Sequence, residues 1–187
     1  MEETIESMMI KGMELMDKSI DHLKDELIKI RAGKASPAML NGIMVEYYGN
    51  ETPLNQVANV SAPDSRTISI QPWEKSMLAV IERAIFASNL GVTPMNDGEF
   101  VRISVPPLTE ERRKDLVKQA KSLGEEAKVS LRNARHKLID FIKKEVKDGY
   151  PEDAGKRKEQ EVQDMVVKHT EGIEKLIEAK EKDIMTV

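Results

Sequence analysis

The chain has 187 residues, of which 33% are charged, 40% hydrophobic and 4% aromatic, and its formal net charge is −4 at pH 7. This length favours one main domain with at most a small second one. So few aromatic side chains favour an aliphatic core between helices over a broad β-sandwich or barrel. The absence of cysteine excludes disulfides, thiolate metal sites and a cysteine nucleophile.

Two features bear on localisation. No apolar run approaches the roughly 20 residues that span a bilayer. The first residues, Met1 to Glu6, are acidic, unlike a signal peptide or an Arg-rich transit peptide. We therefore expect a soluble cytoplasmic protein with no membrane partner.

The first predicted element is a long helix. Apolar residues between positions 9 and 30 recur at alternating steps of four and three, the heptad pattern of a helix packed on other helices. They are Met9, Met13, Met16, Ile20, Leu23, Leu27 and Ile30.

The pattern changes between residues 32 and 106. Ser36 and Pro37 predict a capped short turn. Strands are predicted at Ile43–Gly49, Arg66–Ile70 and Phe100–Val105. Apolar residues at helical spacing predict a helix from Glu74 to Ser88 that ends near Asn89. This segment is therefore expected to form a small β/α/β domain.

Two more long helices follow the Pro106-Pro107 break. The first is predicted to be capped by Thr109 and closed by Gly149, and its apolar positions are Leu116, Ala120, Leu123, Ala127, Leu131, Ala134, Leu138 and Phe141. The second begins at Pro151, and its stripe comprises Val162, Val166, His169, Ile173, Leu176, Lys180 and Ile184.

The predicted fold class is thus α+β, an elongated three-helix bundle that carries an inserted small domain. Residues 1–31 and 107–187 are assigned to the bundle and residues 32–106 to the insert. The chain crosses between the two parts at Arg31-Ala32-Gly33 and at Pro106-Pro107. Glycine permits unusual backbone angles whereas proline restricts them, so a limited hinge is expected at these residues.

The charge is unevenly distributed along the chain. Residues 110–148 hold 12 basic and 8 acidic side chains, whereas residues 1–30 hold 4 and 8. At 100° per residue, seven cations of the middle long helix lie within about 60° of one line. We call this the basic face; it comprises Lys114, Lys118, Lys121, Lys128, Arg132, Arg135 and Lys143.

A linear row of cations suits a nucleic-acid backbone, and no aromatic residues alternate with it, which favours recognition by shape and charge. The alternative is a solvated helix face that acidic neighbouring helices neutralise. In that case the protein would be a structural coiled-coil adaptor.

Enzymatic chemistry has little support. The three histidines, His22, His136 and His169, fall on three different helices and lack metal-ligand spacing, and a packed core role is expected for His169. Gly33-Lys34-Ala35-Ser36 lacks the upstream glycine of a phosphate-binding loop. We predict no catalytic residue, no metal and no cofactor.

Several segments resemble the bacterial ribosome recycling factor family, in order and over the whole length. They are Arg31 to Pro37, Val45 to Gly49, Thr52 to Leu54, Asp64 to Thr67, Pro106 to Lys114 and Arg132-Asn133-Ala134-Arg135. The resemblance implies an L-shaped, monomeric translation factor that acts on the large ribosomal subunit after termination. It also implies that elongation factor G with GTP then drives subunit separation and the release of mRNA and deacylated tRNA.

The resemblance further implies that Arg132 and Arg135 contact 23S rRNA and that Arg31 lies in the same functional region. Lys121 and Lys128 join this predicted site as members of the basic face. Two positions depart from the family pattern. Lys34 replaces an arginine and loses its bidentate geometry, and His136 replaces an arginine with a side chain whose charge depends on pH.

Overall fold

The computed structural model describes residues 3–88 and 90–186. Met1, Glu2 and Val187, at the limits of the predicted bundle, and Asn89, at the predicted end of the inserted helix, lie outside the described residues. The helices are α1 (Ile5–Lys29), α2 (Leu78–Ala87), α3 (Glu110–Lys147) and α4 (Glu152–Met185). The strands are β1 (Met44–Tyr47), β2 (Asn50–Pro53), β3 (Ala58–Asp64), β4 (Thr67–Pro72), β5 (Pro94–Asn96) and β6 (Val101–Ser104).

The chain forms two compact units. One comprises Met1–Ala32 and Glu110–Val187, and the other comprises Gly33–Thr109. Of the residues predicted to form a joint, Arg31 and Ala32 belong to the first unit, whereas Gly33, Pro106 and Pro107 belong to the second.

The first unit is a bundle of α1, α3 and α4. A Cβ added at Gly12 would lie 2.4 Å from Cδ1 of Leu138, and one added at Gly124 would lie 2.8 Å from Cγ1 of Ile177. These glycines therefore let α3 approach α1 and α4 closely. Gly149, with a φ of +113°, follows α3 in the turn to α4, and such a left-handed residue is the usual end of a helix.

The long helices are confirmed, but their buried stripes differ in detail from the predicted ones. In α1, Ile5 and Gly12 are buried while Met13 and Ile20 are half-buried. In α3, Gly124 and Ile142 are buried in place of Leu123 and Phe141, which are half-buried. In α4, Val166, Leu176 and Lys180 are half-buried. A straight helix has 3.6 residues per turn, so a stripe read at 3.5 drifts off the buried face.

The second unit packs α2 and a hairpin on a small sheet. Strands β1 and β2 form an antiparallel hairpin, and the other four strands form an antiparallel sheet in the order β3-β4-β6-β5. Ile68 and Ile70 of β4 and Val101 and Ile103 of β6 are fully buried. Alternate residues of a strand share one face, so these four place the core on one side of the sheet.

Three strands were not predicted, namely β2, β3 and β5. They are short or rich in polar residues and proline, and β3 and β5 form the edges of the larger sheet, where apolar alternation is weak. The predicted start of the inserted helix was also wrong. A 3-10 turn at Lys75–Met77 precedes α2, which begins at Leu78. The predicted turn at Ser36 is confirmed, since its hydroxyl accepts a hydrogen bond from the Ala38 N–H at 3.3 Å.

The turn between β3 and β4 is hydrogen-bonded to both segments through which the chain enters and leaves the second unit. The Asp64 carboxylate accepts a hydrogen bond from the Arg66 N–H at 2.8 Å and closes the turn between β3 and β4. The Ser65 carbonyl accepts from the Ala35 N–H at 2.8 Å, and the Arg66 carbonyl accepts from the Val105 N–H at 2.7 Å. The incoming and outgoing segments of this unit are thus tied to neighbouring residues.

Candidate nucleic-acid interface

The basic face lies on α3, away from its buried stripe. Six of its members are exposed, namely Lys114, Lys118, Lys121, Arg132, Arg135 and Lys143, and Lys128 is half-buried. The other side of α3 is buried, and its small residues are Ala120, Gly124, Ala127 and Ala134. The same helix therefore packs through one side and presents cations on another.

Two lysines in the middle of the basic face are paired with acids. Lys121 Nζ lies 3.6 Å from the Glu181 carboxylate of α4, and Lys128 Nζ lies 3.6 Å from that of Glu174. Lys128 also lies 3.5 Å from Glu125, one turn earlier on α3. Neutralisation by a neighbouring helix was the alternative to binding, and for these two lysines the neighbouring helix does supply carboxylates. We call Lys121 and Lys128 the lysine segment.

The next turns of α3 differ. Arg132 and Arg135, which we call the arginine segment, are exposed, and within residues 3–88 and 90–186 neither has a carboxylate at ion-pair distance. Their guanidinium groups keep planar sets of N–H donors, which suit the oxygens of a phosphate. The arginine segment is therefore the strongest anion-binding feature of the basic face.

Arg31 lies elsewhere on the bundle. It follows the end of α1 and is exposed. Since α1 runs antiparallel to α3 and Gly12 packs on Leu138, Arg31 is level with about residue 119 of α3. Arg132 lies about 20 Å further along the bundle axis. The structure thus brings Arg132 and Arg135 together and leaves Arg31 apart from them.

The histidines form no chemical site. His169 is 6% exposed, its Nδ1 lies 2.7 Å from the Met165 carbonyl and its Nε2 lies 2.7 Å from the Asp17 carboxylate. This confirms the predicted packed role and joins α4 to α1. His22 and His136 are exposed. Among the described residues, no three acidic or histidine side chains converge as a metal site would require.

A cluster at the β1–β2 hairpin was not predicted from the sequence. The hydroxyls of Tyr47 and Tyr48 both donate to the Glu74 carboxylate, at 3.0 and 3.1 Å. These hydrogen bonds hold the pKa of each phenol above its usual value. Tyr48 has a φ of +49°, which is unusual for a tyrosine, and its side chain is exposed. The cluster fixes the hairpin tip to the turn before α2.

Gly33 occupies a place that tolerates no side chain. Its φ is +73°, and an added Cβ would lie 2.4 Å from Cγ of Leu108. Pro106 and Pro107 are exposed. The sequence predicted the conformational freedom of this glycine, but its contact with Leu108 depends on the folded second unit.

None of the helices in the described part of the chain is long and apolar enough to span a membrane. Taken together, the features define an α+β protein of two units in which one long helix carries an exposed basic face. A family model described as "Ribosome recycling factor" matches residues 23–185. The chain therefore belongs to the ribosome recycling factor family.

Individual relatives agree with this assignment. The ribosome-recycling factor of Flavobacterium johnsoniae is 52% identical over 187 residues, which cover 100% of both chains. A solution structure of a ribosome recycling factor is 37% identical, with a TM-score of 0.77 and full coverage of both chains. The T. thermophilus factor, described together with E. coli elongation factor G bound to the E. coli post-termination complex, is 41% identical, with a TM-score of 0.63 over 98% of this chain and 100% of that one.

Proposed function

We propose that this protein binds the ribosome after termination and, with elongation factor G and GTP, promotes subunit separation and the release of mRNA and deacylated tRNA. The observation that carries the proposal is the family match over residues 23–185. A relative described on the post-termination complex together with elongation factor G supports the choice of partners.

The residues proposed to contact 23S rRNA of the large subunit are Arg132, Arg135 and Arg31. The sequence also predicts Lys128 and Lys121 for this site, but carboxylates of α4 lie at ion-pair distance from both, so we propose that these two lysines do not contact the RNA. The arginine segment is the centre of this surface, because its two guanidinium groups are exposed and lack carboxylate partners among the described residues. Phosphate contacts of this kind position a protein on RNA without reading its sequence.

We further propose that the protein is a monomeric cytoplasmic translation factor and performs no bond chemistry of its own. In this scheme GTP hydrolysis belongs to the elongation factor. Support comes from the histidines, since the buried His169 is committed to the α1–α4 contact and the other two lie exposed on separate helices.

The insert at residues 32–106 is proposed to act as a lever on the bundle formed by residues 1–31 and 107–187. The proposed hinge consists of Arg31, Ala32, Gly33, Pro106 and Pro107. The positive φ of Gly33 and the fixed φ of the two prolines favour restricted motion there over a free tether.

Charge reversal tests the binding surface. Arg132→Glu combined with Arg135→Glu should sharply reduce binding to purified large subunits and make its salt dependence shallower, because fewer counterions are released. Stability should change by no more than about 0.5 kcal/mol per site, since both residues are exposed. Arg157→Glu with Lys168→Glu, an equal change of charge at exposed positions of α4, is the control. Equal binding by both double variants would contradict the proposed surface.

Loosening the joint tests the lever. Pro106→Gly with Pro107→Gly should leave binding to large subunits intact and slow subunit splitting by elongation factor G and GTP. Replacing residues 32–106 by a flexible linker should abolish splitting while the helical bundle still binds. Normal splitting by the shortened protein would show that the insert is not a lever.

A further inference from the structure

Between Lys128 and Arg132, about one helical turn apart on α3, the basic face changes from lysines paired with carboxylates to arginines that are not. Along α4, Glu174, Glu178 and Glu181 recur at steps of four and three and so share one helix face. We call these three residues the acidic row. They line a cleft of about 250 Å³ together with Lys121, Gly124 and Lys128.

The helix packing brings these charges together. At Gly124 the missing Cβ admits Ile177, so α3 and α4 approach closely between the lysine segment and the acidic row. Glu181 then reaches Lys121 and Glu174 reaches Lys128, each at 3.6 Å. Glu178 is exposed between them and adds negative charge to the same cleft.

The antiparallel register of α3 and α4 places the lysine segment opposite the acidic row and the arginine segment beyond Glu174. Lys121 lies opposite Glu181, and Lys128 lies opposite Glu174. The two helices are antiparallel, so each residue added along α3 corresponds to one residue fewer along α4. By this register Arg132 opposes Thr170 and Arg135 opposes Val167. Neither of these side chains carries a charge, and Val167 is 46% exposed. Glu171, next to Thr170, is exposed on the same stretch, but neither arginine has a carboxylate at ion-pair distance among the described residues. The arginine segment therefore forms no ion pair with α4.

We propose that the acidic row fixes the register of the RNA backbone on the basic face. This inference rests on the proposed function and deepens it. The carboxylates occupy the lysine segment and repel phosphates that approach it, so the RNA backbone is held at the arginine segment and not at the lysine segment. A uniform row of cations would allow it to shift along α3.

Distance makes the two segments separable. Lys121 and Arg135 are 14 residues apart, about 21 Å along α3. The Debye length at physiological ionic strength is about 8 Å. The charge of Glu181, level with Lys121, is therefore screened at Arg135, whereas Glu174, level with Lys128, lies only about 10 Å along the axis from Arg135. The acidic row acts most strongly on the lysine segment, with which it forms ion pairs. Lys128, about 6 Å along the axis from Arg132, lies at the boundary.

The test neutralises the acidic row without shortening its side chains. The variant is Glu174→Gln, Glu178→Gln and Glu181→Gln, and exposed ion pairs of this kind contribute at most about 1 kcal/mol, so the bundle should remain folded. The control is Glu14→Gln, Asp21→Asn and Asp25→Asn. These exposed residues lie on the side of α1 opposite its buried stripe, and the control changes net charge equally.

We expect the variant to gain a phosphate contact from Lys121, whereas Lys128 keeps its ion pair with Glu125. One new phosphate contact should steepen the dependence of log affinity on log salt by about 0.7 to 0.9. The ratio of variant to parent affinity for purified large subunits should therefore grow about three-fold between 200 and 50 mM salt. Amine-reactive labelling should find Lys121 accessible in the parent complex and protected in that of the variant.

The outcomes separate the two proposals. If the variant of the acidic row showed the same salt dependence and labelling as the parent, the proposed role of the row would be wrong. It would also be wrong if the α1 control gained the same affinity at low salt, or if Lys121 were protected in the parent complex. Normal binding by the variant with Arg132→Glu and Arg135→Glu would instead overturn the proposed surface itself.

Discussion

The two units bury their cores in different ways. In the bundle, half of the buried residues of α3 are small, namely Ala120, Gly124, Ala127 and Ala134. In the insert, large aliphatic side chains fill the core, with Ile68, Ile70, Ile81 and Ile103 fully buried. Small residues bring helix surfaces close together, so the bundle places charged rows of neighbouring helices in contact. The insert instead packs around one apolar cluster.

The proposed binding surface and the proposed lever therefore lie in parts of the chain that pack differently. In the bundle, the position of Gly124 decides which lysines meet α4 carboxylates, so helix packing shapes the exposed charge pattern. In the insert, one hydrogen-bonded turn at Asp64 holds both chain entries. The proposed lever requires that both chain entries are held in this way, because motion at the joint is transmitted only by a body that does not deform.

The strongest test of the comparison is whether the units unfold separately. Ile70→Ala removes a fully buried side chain from the insert and should cost about 2–5 kcal/mol of its stability. Trp73, the only tryptophan, lies in the insert, whereas far-UV circular dichroism is dominated by the long helices. In denaturant, the fluorescence midpoint should fall while the dichroism midpoint stays nearly constant.

Leu131→Ala, at a 1% exposed position of α3, is the reciprocal variant and should shift the dichroism midpoint instead. If either substitution moved both midpoints equally, the two units would unfold as one, and the distinction drawn between them would fail.

A second test addresses the polar contact inside the bundle. Asp17→Ala leaves the Nε2 of buried His169 without its carboxylate and should cost about 1–3 kcal/mol of unfolding free energy. Asp21→Ala, an exposed substitution on the same helix, should cost no more than about 0.5 kcal/mol. Chemical denaturation of the two variants side by side measures the difference. Equal midpoints would show that His169 is satisfied by Met165 and solvent alone.

Much of the bundle could be predicted from sequence because its signal is periodic and long. The heptad patterns of α1, α3 and α4 each extend over many turns, so local irregularities do not obscure them. The glycines of the core could not be predicted in the same way. Gly12 and Gly124 have no apolar side chain, and their burial depends on Leu138 and Ile177 of other helices.

The insert was harder to predict for the opposite reason. Strand β4 shows alternating Ile68 and Ile70, whereas β3 is an edge strand of Ala, Asn, Ser and Pro that depends on its partner for its conformation. The candidate site shows a similar limit. Helical spacing placed Arg132 and Arg135 on one line with the lysines, but only the register with α4 distinguishes the paired segment from the unpaired one.

A third test asks how tightly the helices of the bundle are packed. Alanine favours a helix over glycine by about 1 kcal/mol, so Gly→Ala should stabilise wherever there is room. At Gly172 an added Cβ would lie 3.5 Å from Ile20 Cδ1, an ordinary contact, and Gly172→Ala should stabilise by up to about 1 kcal/mol.

At Gly12 the same change meets the buried Leu138 at 2.4 Å, and overpacking typically costs about 1–3 kcal/mol. Gly12→Ala should therefore destabilise, and thermal unfolding of the two variants should shift in opposite directions. Stabilisation by both would mean that α1 and α3 move apart easily and that their contact at Gly12 is not tightly packed.

The smallest expected effect concerns the turn that holds the insert's two chain entries. The hydrogen bond from the Arg66 N–H holds the pKa of Asp64 below its ordinary value of 3.8. A carboxyl whose folded pKa is lowered contributes stability above its unfolded value, and this contribution is lost as pH falls through the folded pKa. Asp64→Asn should therefore lower the Trp73 fluorescence midpoint slightly at pH 7, and the deficit should shrink below about pH 4. Ser65→Ala changes the same turn without a titrating group, so any effect that it has should not vary with pH in this way. A deficit that persisted unchanged into acid would mean that the turn depends on the shape of the Asp64 side chain and not on its charge.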